Sequence, residues 1–181
     1  FLLVNLANAH PGHEVTFLQS FMHPILGWDH LLTILIIGMM VQAYPLAKGI
    51  YLPVSFISFF TIGALLGTMI PDFNQISTLM NQFVLSTLIG LAIMNIFSKK
   101  IRFEFILLVL GIFGFVHGSV HGIELPSEQP QILAGLLLST IFIHLAGLIL
   151  ANSVGKKYKS FVPYFTLTSG FIGALALFQN L

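Results

Sequence analysis

Cysteine is absent from the sequence, which excludes disulfides and thiolate metal sites. Charge is nearly as scarce. Asp, Glu, Lys and Arg make up 7% of the 181 residues, whereas a soluble domain carries about 25%. So few charges cannot cover a globular surface with water-compatible groups. No polar stretch exceeds a short loop, so no soluble domain fits. The formal net charge of +1 carries no basic patch, and no nucleic acid partner is expected. No nucleotide-binding motif is present either, so ATP-driven chemistry within this chain is not expected. What remains is apolar, at 56% of the residues. The class expected is an all-α integral membrane protein embedded in a lipid bilayer.

Six apolar segments are legible, and they predict a six-transmembrane-helix bundle. They run Pro24–Tyr44, Leu52–Ile70, Leu79–Phe97, Phe103–Ile123, Ile132–Asn152 and Val162–Phe178. Each is long enough for a hydrocarbon core of ~30 Å. All the Lys and Arg fall in alternate breaks. Lys48 lies in the first. Lys99, Lys100 and Arg102 lie in the third. Lys156, Lys157 and Lys159 lie in the fifth. The positive-inside rule then places the N-terminus and the C-terminus outside. The opening FLLVNLANA resembles the end of a secretory signal, with Ala7-Asn8-Ala9 as its cleavage site. Three parts are therefore expected: residues 1–9 as the end of a signal peptide, 10–23 as an extracytoplasmic His-containing tail, and 24–181 as the transmembrane domain.

Ionisable side chains inside a span are costly, at least about 2.5–3.5 kcal/mol on insertion scales, and are functional candidates by default. They concentrate in two spans. The first carries Asp29 and His30, with His23 at its mouth. The fourth carries His117, His121 and Glu124, spaced i, i+4, i+7 on one helix face. Counted along helices of opposite direction, both clusters fall roughly 10 Å below the outer surface. On a straight helix starting at Pro24, His23 and His30 stand two turns apart. His23 is then an outer or gating position. A carboxylate often orients a ligating imidazole, but spacing does not say which residue Asp29 serves. The tail AHPGHE adds His10, His13 and Glu14 as an outer capture site, or as a solvated linker. His144, alone in TIFIHLAGL, is expected to bond a neighbouring helix, with metal ligation as the alternative.

Imidazoles and carboxylates without thiolate suit a borderline divalent ion such as Ni²⁺, Zn²⁺ or Co²⁺. A metalloenzyme is disfavoured. His117-Gly-Ser-Val-His121 has zincin spacing, but Gly118 stands where the general-base Glu belongs. Haem bound by paired His on facing helices is a further alternative, and an absorbance spectrum separates it from a cation path. No prosthetic group is expected in the cation-path reading. Because imidazoles titrate near pH 6.5, protons compete with metal. Metal binding is expected to weaken from about pH 7 to 5. A binding isotherm unchanged over that range would contradict His ligation.

Glycines recur at helical spacing. Gly63 and Gly67 form GxxxG, and Gly114, Gly118 and Gly122 repeat every four residues. Such residues let helix backbones approach closely. With three spans per half, the halves have opposite orientation. This is the arrangement of a 3+3 inverted repeat with a site at its interface.

HPILGWDH in the first span and FVHGSVHGIE in the fourth resemble the two signatures of the HupE/UreJ family. The resemblance spans nearly the whole chain. It implies a nickel permease, with cobalt as a second cargo, in the bacterial inner membrane. It implies service to hydrogenase or urease maturation proteins. It points to His23, Asp29, His30, His117, His121 and Glu124. Nickel comes from the resemblance; the residues alone specify only a borderline divalent ion.

Overall fold

A computed structural model describes residues 16–69, 73–124, 130–155 and 157–179. Among them every regular element is helical. The order is α1 (Phe17–Leu26), α2 (Trp28–Met40), a short 3₁₀ turn (Val41–Ala43), α3 (Leu46–Gly49), α4 (Tyr51–Gly67), α5 (Phe73–Ile96), α6 (Phe103–Glu124), α7 (Pro130–Leu150) continued by a π turn (Ala151–Gly155), and α8 (Phe161–Gln179). Among the described residues five helices are long and apolar enough to cross a membrane, and the bent pair α1–α2 adds a sixth if counted as one span. The last five expected spans fall on α4 to α8.

The first expected span differs. It is two helices, not one, and it starts at Phe17 rather than Pro24. Thr16 and Gln19 explain the start. Thr16 Oγ1 accepts from the Gln19 N–H at 3.3 Å, and Gln19 Oε1 accepts from the Thr16 N–H at 2.8 Å. This reciprocal pair is a capping box. Pro24 lies inside α1, near its end, where it removes one helical donor. Gly27 then leaves the helix at φ −77°, ψ 103°. The chain turns by 78° there before α2 begins. Trp28 thus opens a helix whose axis is unrelated to that of α1.

Lipid offers no hydrophobic force between helices, so close backbone approach matters most. The most extensive contacts are α4 on α6, α5 on α8, α2 on α7 and α1 on α7. Gly114, Gly118 and Gly122 lay α6 directly on the α4 backbone at Phe56, Phe60 and Ala64. Gly63 and Gly67 return the contact against Phe115 and Ser119. Ser55 Oγ adds an interhelical bond of 2.8 Å to the Leu107 carbonyl. Gly38 on α2 sits on the His144 backbone, and Gly147 on α7 sits on Leu35. Gly135 on α7 receives α1 at Ser20 and Phe17. Helix α2 buries residues on every side, Ile34, Ile36, Ile37 and Met39 among them, as a central helix does. Large apolar side chains of α4, α6, α7 and α8 point outward, as lipid-facing surfaces do.

Candidate metal site

The break at Gly27 builds the site. On a straight helix His23 and His30 would be separated by two turns, roughly 10 Å. The bend folds α1 back so that their ring centroids lie 6.1 Å apart. His23 also stands 4.9 Å from His121. The outer or gating position expected for His23 is therefore corrected: His23 belongs to the cluster. Helix α6 brings the remaining imidazoles. His30 lies 5.3 Å from His117 and 4.7 Å from His121. Two imidazoles sharing one ion at about 2.1 Å and 90–109° would have centroids roughly 4.5–5.2 Å apart. The three spacings that involve His117 or His121 lie close to that range, whereas His23–His30 at 6.1 Å does not. Among the described residues, however, no three His or carboxylate groups stand ready-formed around a metal position.

The hydrogen bonds define which nitrogens are offered. His30 Nδ1 lies 2.8 Å from Asp29 Oδ1, which also accepts the His30 backbone N–H at 2.9 Å. The residue served by Asp29 is thus His30. His117 Nδ1 lies 2.8 Å from the Phe113 carbonyl. A carbonyl only accepts, so Nδ1 carries the proton and Nε2 keeps its lone pair. That Nε2 is buried and has no hydrogen-bond partner among the described residues. Orienting a ligand through its far nitrogen is the usual arrangement around metals. His30, with its Nδ1 against a carboxylate, follows the same logic.

The helix ends add a charge argument. Helix α2 begins at the site, and its positive N-terminal end opposes a cation. Asp29 sits in that first turn and offsets it. His117 and His121 are fully buried, whereas the side chains of His30 and Asp29 are 12% and 23% exposed. The cluster therefore reaches the molecular surface on the α1–α2 side. Beyond His121, toward Leu133 and Leu136, only a crevice of about 10 Å³ remains, room for one water at most.

Two aromatic rings of α4 complete the walls. Phe60 lies 5.6 Å from His121 and Phe56 lies 5.5 Å from His117. Neither stands out in the sequence, because an aromatic at helical spacing looks like ordinary core. Glu124 is the last residue of α6, and its side chain lies outside the described residues, as do His10 and His13. His144 does not bond a neighbouring helix as expected. Its Nδ1 lies 2.8 Å from the Thr140 carbonyl, one turn back on α7.

Fold and site together define a helical membrane protein with a histidine cluster between the broken α1–α2 pair and α6. The chain belongs to the HupE / UreJ protein family, whose sequence model matches residues 1–177. That family is associated with nickel accessory functions for hydrogenase and urease. The chain is 30% identical to Protein HupE of Rhizobium leguminosarum bv. viciae over 154 residues, 83% of this chain and 78% of that protein. No solved structure matches it.

Proposed function

We propose that this protein is an inner-membrane permease that admits a divalent transition-metal ion to the cytoplasm, with nickel the favoured cargo and Co²⁺ or Zn²⁺ next. The ion passes through the His/carboxylate site between the first and fourth spans. One observation carries this reading. His30 and His117 have their Nδ1 atoms tied to Asp29 and to the Phe113 carbonyl, with ring centroids 5.3 Å apart. Two imidazoles from different helices thus stand side by side, each with its Nδ1 engaged within its own helix. No thiolate competes, so borderline divalent ions are preferred over Cu⁺. Nickel is chosen over its neighbours on family membership. Delivery to hydrogenase or urease maturation proteins is the matching fate for the ion.

The topology proposed has both termini outside and the lysine-bearing loops inside. An inverted repeat is supported by the packing pattern. Exchanging the two sets of three spans turns the α4–α6 pair into the α7–α2 pair, and both are among the most extensive contacts. The same exchange maps α5–α8 onto itself. Broken helices at such an interface are a recurring device for ion sites, and α1–α2 is broken at the cluster.

Timed Ni²⁺ uptake tests the function. In cells carrying His30→Ala or His121→Ala, uptake should fall by more than about tenfold, since even outer-shell changes cost 10- to 100-fold in metal affinity. Normal uptake in both variants would sink the proposed path.

A further inference from the structure

His144 takes no part in the cluster, yet its chemistry repeats that of His117. It is 4% exposed on α7, inside the bundle. Its Nδ1 proton goes to the Thr140 carbonyl at 2.8 Å, so Nε2 holds the lone pair. That Nε2 is buried with no hydrogen-bond partner among the described residues. An idle buried nitrogen is costly. The structural need of the ring is already met through Nδ1, so Nε2 is left over for something else.

Its place in the bundle gives it a direction. His117 lies seven residues before Glu124, about 10 Å along α6. His144 lies fourteen residues after Pro130, about 21 Å along α7, which runs the opposite way. His144 therefore stands deeper, toward the lysine-bearing end. Gly38, two turns beyond His30 on α2, packs on the His144 backbone and agrees with that depth. One side chain joins the two levels. The Phe56 ring lies 5.5 Å from His117 and 5.7 Å from His144, edge-on to both. Phe56 is fully buried, and Gly114 holds its backbone against α6.

We propose that His144 is a second imidazole station for the transported divalent ion, inward of the cluster, with the Phe56 ring as the partition the ion passes to reach it. This rests on the transport reading above. A station with one imidazole and otherwise water or hydroxyl ligands binds weakly, which a transit site requires if the ion is to leave.

The test separates ligation from helix support. Asn152 on the same helical run donates its side-chain amide to the Leu148 carbonyl, four residues back, at 3.0 Å. His144→Asn can make the same bond to Thr140 while losing the ligating nitrogen. His144→Gln serves as the second variant. Equilibrium Ni²⁺ binding is measured on purified protein, and timed Ni²⁺ uptake in cells. Binding should stay within about twofold of wild type, while uptake falls at least about tenfold, because only the onward step is lost. Uptake within twofold of wild type in both variants overturns the proposal. So does loss of equilibrium binding together with uptake, which would place His144 in the cluster or in the fold. If His30→Ala and His121→Ala both transport normally while His144→Asn does not, the cluster reading fails and the His144 station stands. Wild-type uptake no greater than in cells without the protein sinks both.

Discussion

Replacing Gly118 by valine should leave almost no folded protein to extract. A Cβ at this position would run into the Phe60 carbonyl oxygen and crowd the Ala64 backbone nitrogen. These are backbone atoms of α4, so no side-chain rotation relieves the clash. The helices must separate instead. Separation undoes the neighbouring contacts of Gly114 and Gly122, which seat on Phe56 and Ala64. It also draws Phe56 and Phe60 away from His117 and His121. Overpacking costs 1–3 kcal/mol in soluble cores and occasionally more; a backbone-on-backbone clash belongs at the upper end. In lipid, tight approach is itself the main attraction between helices. The monodisperse peak on size exclusion in mild detergent should shrink by roughly tenfold or more. Gly111→Ala is the control. A Cβ there meets the Phe59 ring at 3.0 Å, and Phe59 is 45% exposed and free to swing outward. Its peak should match wild type. Equal yields for Gly118→Val and Gly111→Ala would refute the close-packed α4–α6 seam.

The contrast between those two glycines shows what periodicity reveals and what it hides. Small residues every four positions in α6 announce a seam, and the seam is there. Spacing alone does not say which glycine meets backbone and which meets a mobile ring. The spans behave alike. Length and hydropathy locate α4 to α8 because lipid demands unbroken helices of one length. The first span escapes that logic. HPILGWDH contains Pro24 and Gly27, and Pro24 suggests a helix start. The competing start at Thr16 depends on a reciprocal Thr16–Gln19 pair ahead of the apolar run. The break depends on Gly27 leaving helical conformation, which no periodicity encodes. The sequence therefore points to imidazoles that the fold does bring together, His30, His117 and His121. A straight first helix would hold His23 two turns from His30, and so hides that its ring joins them. His144 and Phe56 look like ordinary core until the engaged nitrogen of His144 and the two rings that Phe56 touches are known.

Asp29→Ala should weaken Ni²⁺ binding by about 10- to 100-fold, the usual cost of removing a carboxylate behind a ligating imidazole. Asp29 accepts twice from His30, once from the ring and once from the backbone. Without it, the His30 ring loses the contact that fixes its Nδ1 proton, and either ring nitrogen can face the site. The charge balance changes as well. The N-terminal end of α2 then meets the incoming cation with no carboxylate to offset it. Asp29→Asn should fall between, because an amide oxygen still accepts the Nδ1 proton but carries no charge. That ordering, wild type above Asn above Ala, separates the two contributions. The drop from Asp to Asn reports charge, and the drop from Asn to Ala reports ring orientation. Isothermal titration with Ni²⁺ on purified protein reads both steps. If Asn and Ala bind alike, the hydrogen bond to His30 contributes nothing and Asp29 acts through charge alone. If all three bind alike, Asp29 does not serve the site, and a costly carboxylate in the first span would need another reason to be there.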